Sequence, residues 1–353
     1  MRAMNLMNRR GASLRFGLVG AGRIGRVYAE AFAQTPNARL VAVADVSQTV
    51  RDKFATETGC LAFASHADLA DSGKIDAAIV ATPPASHGPI CMDFLLRRIP
   101  VLCEKPVTFG VETARKIRAT SREQGTLFTM ASKFRYAEDV VRARKIVDAG
   151  VLGRVALFEN TFMSFVDMTS RWNSDRRVSG GGVFIDNGTH SVDIMRYFIG
   201  PLTMIHAVEG PGIQQLPVEE TVYITTRAAQ GTVGRMDLSW SISKQCDHYI
   251  GVYGSEGVLR VGWKSSFYRR NGCSDWTQFG RGYHKVQAFC DQIANFSAAI
   301  QGIEPLLIDA NDAIASVEAI QAGYESLGRN SWTPIRNEEL LPATTGTVSP
   351  AAA

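Results

Sequence analysis

The residues Gly20-Ala21-Gly22-Arg23-Ile24-Gly25 decide the fold of the first half of the chain. They follow a short apolar run at 14–19 and open a segment, 23–34, whose apolar residues recur at helical spacing. A glycine loop between a strand and a helix is typical of dinucleotide-binding βαβ units. The first glycine permits the tight turn, the second lets a pyrophosphate approach the backbone, and the third lets the helix pack closely on the strand. The N–H groups at the helix start then face the negative charge.

An acidic residue, Asp45, stands just past the second expected strand, about twenty residues beyond the glycine loop. A carboxylate at this place accepts hydrogen bonds from the adenosine ribose hydroxyls and repels a 2′-phosphate. No arginine follows it immediately. We therefore predict NAD(H) as the cofactor rather than NADP(H). The alternative is that Asp45 only caps the next helix, a role that Ser47 could share.

The arrangement of apolar runs and helical segments changes along the chain and indicates two domains. Short apolar runs at 14–19, 40–44, 77–81, 101–103 and 127–131 alternate with helical segments, a rhythm that predicts a parallel sheet covered on both faces. After Gly153 the chain shows successive strand-like runs with short turns, which predict a mostly antiparallel sheet. Helices at 187–198, 284–300 and 309–327 would interrupt that sheet or cover one of its faces, with the apolar stripe of the segment 284–300 packed on it.

The predicted fold class is therefore an α/β Rossmann domain, a doubly wound parallel sheet, followed by an α+β domain with a large, open-faced, mostly antiparallel sheet. The predicted limits are a flexible extension at 1–13, the NAD-binding domain at 14–135, a domain for substrate binding and oligomerisation at 136–335, and a flexible tail at 336–353.

Composition narrows the class of protein. A chain of 353 residues with 45% hydrophobic and 20% charged residues is typical of a globular protein with room for two domains. No apolar run approaches the roughly 18 residues of a membrane span, so no membrane partner is expected. The net charge of +4 is scattered, which gives no reason to expect nucleic acid.

The six cysteines form no CxxC pair, and a chain with a full core needs no disulfides, so we predict reduced thiols and a cytoplasmic location. Residues 1–13 lack the apolar core of a secretory signal.

Two further segments stand at the ends of expected parallel strands, where ligands bind in such sheets. One is Thr82-Pro83-Pro84, which leads to His87, and the other is Glu104-Lys105-Pro106. The proline favours an extended backbone at Lys105 and so fixes the direction of its side chain. Without further context, a lysine beside a proline is also typical of a solvated loop.

The second domain contains Gly180-Gly181-Gly182, followed by Asp186, His190 and Asp193. Asp186 and His190 share one face of a helix because they are four residues apart. An acid beside a histidine orients the ring and stabilises its protonated form, as a proton-transfer site requires. The glycines allow another backbone or a ligand to come close. By itself the Asp/His pair is also compatible with a surface ion pair or a helix cap. A zinc site would need a third ligand, which is not evident, so no metal is predicted.

Together these motifs resemble the Gfo/Idh/MocA family of sugar and cyclitol oxidoreductases, whose inositol dehydrogenases are typical members. The resemblance covers residues 14 to 335. It rests on the glycine loop, Thr82-Pro83-Pro84 with His87, Glu104-Lys105-Pro106, Phe134-Arg135-Tyr136, Trp172 to Asp175, and the glycine triplet with Asp186, His190 and Asp193.

The resemblance implies a substrate bound between the domains, over the nicotinamide, with Lys105, Asp186 and His190 as the catalytic set. His190 is the expected base, Lys105 binds the reacting oxygen, and Asp186 orients His190. Whether Lys105 or His190 removes the proton stays open at this point. The residues expected to bind the cofactor are Gly20, Gly22, Arg23, Ile24, Gly25, Asp45, Thr82, Pro83, Pro84, His87, Glu104 and Lys105. The residues expected to bind substrate are Lys105, Arg135, Trp172, Asp186, Asn187 and His190.

The chain departs from the family pattern near the expected substrate. Asn187 stands where many members have a small or apolar residue, so it is expected to reach the substrate. Asn173 stands where arginine is frequent, and Arg171, Arg176 and Arg177 are the candidates to replace that anchor. Trp172, Trp276 and Tyr283 are candidates to stack on a sugar face, although loop aromatics are as often part of the packing.

The function implied is NAD(H)-dependent hydride transfer to or from a secondary alcohol of a sugar, aminosugar or cyclitol. Two alternatives use the same cofactor domain. One is a hydrolase or lyase that oxidises its substrate transiently with tightly bound NAD, and the other is a non-catalytic NAD-binding regulator. The resemblance also implies a homodimer or homotetramer that forms through the open sheet face.

Overall fold

The computed structural model describes residues 13–336, so the extension and tail expected at 1–13 and 336–353 lie almost entirely outside the described residues. The first half of the chain forms a parallel sheet in the order β3-β2-β1-β4-β5-β6. Its strands are β1 (Leu14–Val19), β2 (Ala38–Ala44), β3 (Leu61–Phe63), β4 (Ala77–Val80), β5 (Val101–Glu104) and β6 (Phe128–Ala131). The predicted doubly wound sheet is confirmed. Of its six strands, only the edge strand β3 was not predicted, because it has three residues and little apolar periodicity.

Helices connect these strands and cover both faces of the sheet. They are α1 (Arg23–Phe32), α2 (Gln48–Thr58), α3 (His66–Asp71), α4 (His87–Leu96) and α5 (Val111–Gln124). Because β1 lies between β2 and β4, the chain changes direction across the sheet at β1. Ligands of such sheets bind at the carboxyl ends of the strands beside this point. The ends of β1, β4 and β5 bring the glycine loop, the segment after Val80 and Lys105 to one edge.

The second half contains a nine-stranded sheet in the order β14-β13-β12-β11-β7-β10-β9-β8-β15. The strands are β7 (Val155–Met163), β8 (Leu202–Glu209), β9 (Thr221–Ala228), β10 (Val233–Ser239), β11 (His248–Gly254), β12 (Gly257–Gly262), β13 (Ser266–Arg270), β14 (Thr277–Gly280) and β15 (Thr333–Pro334). Every neighbouring pair is antiparallel except β7 and β10, which run parallel. The predicted mostly antiparallel sheet is confirmed.

Helices cover one face of this sheet. The helices of the second half are α6 (Glu138–Asp148), α7 (Arg176–Ser179), α8 (Val183–Ile199), α9 (Lys285–Ile300) and α10 (Ala310–Arg329). Phe184 and Met195 of α8 share a core with Ile224 and Met236 of the sheet. On the opposite face Tyr223, Arg227 and Arg235 are exposed.

Helix α9 corrects one expectation about packing. Its apolar stripe does not cover the second sheet but buries itself against the first half of the chain. Phe296 lies 6.1 Å from Phe16 between ring centroids, and Phe289 lies 4.9 Å from Tyr28 of α1. The spacing of apolar residues shows that a helix has a buried face, but it does not show which sheet that face meets. The domain limits given above remain a prediction.

Candidate active site

A single cavity of about 910 Å³ receives residues from both halves of the chain. The glycine loop, Asp45 and Lys105 line it from the parallel sheet, and Asp186 and His190 line it from α8. Residues predicted to bind the cofactor and residues predicted to act in catalysis therefore line one continuous cleft.

The glycine loop has the geometry of a phosphate cradle. Gly20 has a φ of +100°, and a Cβ there would meet the Ala81 carbonyl oxygen at 2.7 Å. A Cβ on Gly25 would lie 2.5 Å from the Gly20 carbonyl oxygen, which explains why this position needs glycine under the helix start. A Cβ on Gly22 would meet nothing within 4 Å, and Gly22 lines the cavity. The open side of Gly22 leaves room for a pyrophosphate against the backbone, so these residues fit the predicted dinucleotide.

Asp45 binds two backbone N–H groups and also lines the cavity, whereas Ser47 is the N-cap residue of α2. Its Oδ1 accepts the backbone N–H of Ser47 at 2.9 Å, and its Oδ2 accepts that of Ala21 at 2.8 Å. The Asp45 carboxylate therefore joins the end of β2 to the glycine loop and also lines the cavity at the place expected for the adenosine ribose. Arg23, Ile24, Thr82, Pro83, Pro84 and Glu104, all predicted to bind the cofactor, line the same cavity. Gly25 does not line it.

His87 lies behind the cavity wall. Its Nδ1 is 2.9 Å from the Pro106 carbonyl oxygen, its Nε2 is 2.7 Å from the Thr82 carbonyl oxygen, and the ring is fully buried. Burial lowers the pKa of His87. The expected contact between His87 and the cofactor is therefore corrected, because the ring joins the two strand-end segments instead of lining the cleft.

Glu104 lies under the cofactor end of the cleft in a short chain of hydrogen bonds. Tyr28 donates its hydroxyl to Glu104 Oε1 at 2.9 Å, and Gln292 donates to the Tyr28 hydroxyl at 3.0 Å. Burial raises the pKa of the Glu104 carboxyl, although the charge of Lys105 opposes this effect. The chain connects β5 with α1 and α9.

Lys105 and Asp186 meet in the cleft. The Nζ of Lys105 donates to the backbone carbonyl oxygen of Asp186 at 2.9 Å and forms an ion pair with the Asp186 carboxylate. The resemblance implied that Asp186 would orient His190, and this is corrected: the Asp186 carboxylate binds Lys105. A helical spacing of four places two side chains on one face, but it does not decide which neighbour each of them binds.

His190 is buried at the wall of the cleft, one helical turn after Asp186. Its Nδ1 is 3.4 Å from the hydroxyl oxygen of Ser132, and its ring stands edge-on to Phe134 at 5.1 Å between centroids. Burial lowers the pKa of His190 well below its usual value, and the charges of Lys105 and Lys133 lower it further. The imidazole is therefore neutral at neutral pH and able to accept a proton.

The start of α8 is held by Glu219. The Oε1 of Glu219 accepts the backbone N–H of Gly182 at 2.7 Å and the hydroxyl of Tyr324 at 2.6 Å. A Cβ on Gly182 would lie 2.0 Å from the Glu219 carbonyl oxygen. The close approach expected at the glycine triplet is thus made by another backbone, and it fixes the helix that carries Asp186 and His190.

Arg135 corrects another expectation. Its guanidinium makes two hydrogen bonds to Asp193, at 3.2 and 2.5 Å, and lies 3.5 Å from Asp312. Arg135 and Asp193 are both buried, and neither lines the cleft. Arg135 therefore belongs to a buried ion pair between the halves rather than to the substrate surface.

The other residues predicted to lie near the substrate are found partly in the cleft and partly outside it. Trp172 and Asn187 line the cleft, as does Asn173. Of the three arginines considered as a substrate anchor, only Arg171 lines it, whereas Arg177 pairs with Asp175 on the surface. Two arginine side chains lie over the Trp276 ring, and Tyr283 stacks on Phe134, so these two aromatics belong to the packing.

Several cleft residues were missed from the sequence. They are chiefly Lys133, Trp240, Lys244 and Trp263. Only Lys133 had a local signal, since it directly precedes the Phe134-Arg135-Tyr136 segment at the end of β6. The others come from strands and loops of the second sheet, whose order cannot be read from local spacing. Within residues 13–336 no group of three or more His, Cys, Asp or Glu side chains is placed to hold a metal ion.

Comparison with known proteins decides the family. A model described as "Oxidoreductase family, NAD-binding Rossmann fold" matches residues 14–132, and the model of the GFO/IDH/MocA C-terminal domain matches residues 140–260. The chain belongs to the Gfo/Idh/MocA family. Its first domain is an NAD-binding Rossmann domain, and the protein is an NAD-dependent oxidoreductase.

Relatives of this Gfo/Idh/MocA protein match over nearly its whole length. The rhizopine catabolism protein MocA of Rhizobium meliloti is 27% identical over 90% of this chain and 96% of that protein. Inositol 2-dehydrogenase of Rhizobium meliloti (strain 1021) is 26% identical over 89% of this chain and 97% of that protein. A levoglucosan dehydrogenase solved with NADH has the same fold, with a TM-score of 0.86 at 19% identity over 91% of this chain and 99% of that one. No described helix is long and apolar enough to cross a membrane.

Proposed function

We propose that this Gfo/Idh/MocA oxidoreductase transfers a hydride between NAD(H) and a secondary alcohol of a sugar, aminosugar or cyclitol. The observation that carries the proposal is the Lys105–Asp186 ion pair beside a neutral His190, in the cleft that also contains the glycine loop. The relatives named for inositol and levoglucosan support a polyhydroxylated substrate.

His190 is the proposed base. Its lowered pKa leaves the imidazole neutral, so a ring nitrogen is free to take the hydroxyl proton of the substrate. Because Nδ1 faces Ser132, Nε2 is the nitrogen left for the substrate. Bound NAD⁺ supplies the hydride acceptor.

Lys105 is proposed to donate a hydrogen bond to the reacting oxygen and to stabilise the negative charge that develops there. Asp186 holds the Lys105 ammonium through its carboxylate and its carbonyl oxygen, and it thereby sets the position of that donor. Trp172, Asn187 and Arg171 line the same cleft and are proposed to contact the rest of the substrate.

The test is NADH formation over a panel of sugars, aminosugars, inositols and their acids. We expect turnover of at least one member, and loss of that turnover in Lys105→Ala and His190→Ala variants that still bind NADH. Lys264→Ala is the matched control because Lys264 is exposed and does not line the cleft. Full activity of both cleft variants would contradict the proposal. A substrate consumed without net NADH formation would favour the hydrolase or lyase alternative.

We also propose that the open face of the second sheet joins two copies of the chain in a dimer, or in a tetramer built from dimers. Tyr223 and Arg227 of β9 and Arg235 of β10 point out of this face and are exposed. A symmetric contact would bury the same strands on both copies. Light scattering at micromolar protein should give a multiple of the 38.4 kDa chain mass, and a monomeric mass would contradict this proposal.

A further inference from the structure

Lys133 is a second lysine in the cleft, and within the described residues its ammonium forms no ion pair with a carboxylate. It opens a short 3-10 turn, Lys133–Tyr136, directly after β6, and its side chain lines the cavity. The Nζ of Lys133 lies 5.3 Å from the ring centroid of Phe134 and 6.0 Å from that of Phe289. Within residues 13–336 no carboxylate pairs with it and no oxygen accepts a hydrogen bond from it.

The other lysines of the cleft differ from Lys133 in this respect. Lys105 pairs with Asp186, and the Nζ of Lys244 lies 2.8 Å from Asp237. An ammonium that is partly shielded from water and forms no ion pair is costly, because the aromatic rings replace only part of its hydration. Burial accordingly lowers the pKa of Lys133 to about 8, and the charge of Lys105 acts in the same direction. An anionic ligand group in the cleft would remove this cost.

Lys133 is close to the proposed reaction centre. The Phe134 ring lies next to both Lys133 and His190, since its centroid is 5.3 Å from the Nζ of Lys133 and 5.1 Å from the ring centroid of His190. The charge of Lys133 accordingly lowers the pKa of His190. A group bound to Lys133 therefore lies near the carbon that loses or gains the hydride.

We propose that Lys133 binds a carboxylate of the substrate close to the reacting carbinol, so that the preferred substrates are polyhydroxy acids, such as aldonic or uronic acids, rather than neutral polyols. A single ammonium near two aromatic rings matches the single charge of a carboxylate better than the double charge of a phosphate. Arg171 lines the same cleft without a carboxylate partner among the described residues and adds to its positive potential. The inference rests on the proposed oxidoreductase function and narrows its substrate class.

The protonation of Lys133 gives the inference a pH dependence. The charged and titratable groups that act on Lys133 or are acted on by it are Lys105 and Glu104 at the end of β5, Asp186 and His190 on α8, and Lys285 on α9. As the pH rises through about 8, Lys133 loses its charge, and kcat/KM for an acid should fall relative to kcat/KM for the neutral analogue.

The experiment compares matched pairs of substrates, namely an aldonic acid with its alditol and a uronic acid with its aldose, together with the sugar phosphate. The variants are Lys133→Met and the control Lys264→Met, which alters an exposed lysine that does not line the cleft. For the wild type we expect a higher kcat/KM for the acid of each pair. In Lys133→Met we expect that value to fall by about 10- to 100-fold, with the neutral partner changed by less than about threefold, since a hydrogen bond between charged groups is lost only for the acid. NADH binding and Tm, measured on each variant, show that it is folded.

The outcomes separate the two proposals. Preference for the acid that disappears in Lys133→Met, together with loss of the pH effect near 8, supports the inference. Turnover of neutral polyols without any preference for acids overturns it and leaves the proposed function intact, as does preference for the phosphate. A Lys133→Met variant that weakens NAD⁺ binding and affects both members of each pair equally also overturns it. Absence of NADH formation from every compound would instead contradict the proposed function itself.

Discussion

Lys105 and Asp186 are 81 residues apart in the sequence and meet across the cleft, where the Nζ of Lys105 donates to the Asp186 carbonyl oxygen at 2.9 Å and pairs with its carboxylate. Lys105 follows β5 of the parallel sheet, and Asp186 lies in the first turn of α8 on the second sheet. The position of the Lys105 ammonium, the proposed hydrogen-bond donor to the reacting oxygen, therefore depends on how the two halves of the chain pack together.

An Asp186→Asn variant should keep its fold and lose most of its activity. In Asp186→Asn the backbone carbonyl oxygen still accepts a hydrogen bond from Lys105, but the side chain no longer carries a negative charge. The Lys105 ammonium is therefore held less firmly. We expect kcat to fall by about 100-fold, because one charge-assisted hydrogen bond contributes about 1.5–3 kcal/mol. Steady-state NADH formation measures the effect. Asp71→Asn, which removes a surface carboxylate paired with Arg97, is the control and should retain wild-type kcat.

The buried His190 should make the protein less stable in acid. Its pKa in the folded state is lowered well below the usual value of 6.5, whereas the unfolded chain takes up a proton near that value. Above pH 6.5 the ring is neutral in both the folded and the unfolded chain, so the free energy of unfolding is not reduced. As the pH falls below 6.5, only the unfolded chain takes up the proton, and the free energy of unfolding decreases by at most about 1.4 kcal/mol per pH unit. Urea unfolding of the wild type and of His190→Asn between pH 7.5 and 5 checks this. The difference between the two should shift in favour of His190→Asn as the pH falls, and a constant difference would contradict the account.

Arg135 should matter for stability rather than for substrate binding. Replacing it by methionine leaves the buried Asp193 without its bidentate partner, a change that typically costs about 3–5 kcal/mol. Urea unfolding should show this loss in Arg135→Met, and a second change, Asp193→Leu, should restore part of it because the orphaned charge is removed. If Arg135→Met instead raised KM for the substrate at unchanged stability, Arg135 would belong to the substrate site after all.

Asp45 should control the choice of cofactor. Asp45→Asn keeps an oxygen for the Ala21 N–H but removes the charge that repels a 2′-phosphate. We expect kcat/KM for NAD⁺ to fall by about tenfold and the preference for NAD⁺ over NADP⁺ to shrink by a similar factor, equivalent to about 1.4 kcal/mol. Kinetics with both cofactors measure this ratio. Asp52→Asn, on the exposed side of α2, is the matched control, and an unchanged preference in Asp45→Asn would contradict the assignment.

The sequence predicts those features that depend on local spacing. The glycine loop, Asp45 and Lys105 were found because strand ends of a parallel sheet meet at one edge, a rule that holds whatever the rest of the chain does. Asp186 and His190 were placed together by helical spacing, but the partner of Asp186 was not, since Lys105 comes from the other sheet.

The remaining misses have a similar cause. Arg135 and His87 both have side chains that are common in ligand sites. Only the fold shows that Arg135 is already bonded to Asp193 and that the His87 ring already contacts two backbone carbonyl oxygens. Lys133 stands directly before the Phe134-Arg135-Tyr136 segment, but its position in the sequence does not distinguish a lysine that lines a cleft from a solvated one. The stripe of α9 was recognised as apolar, but which sheet it covers depends on the whole path of the chain.

The most direct test of the central claim measures hydride transfer in a single turnover. Enzyme in excess of NAD⁺ is mixed with a substrate found in the panel, and NADH formation is followed in the wild type, Lys105→Met and His190→Asn. We expect both variants to bind NADH, and at saturating cofactor we expect both to transfer hydride at least about 100-fold more slowly than the wild type, since each loses a group that acts on the reacting oxygen or its proton. Wild-type rates of hydride transfer in both variants would contradict the central claim.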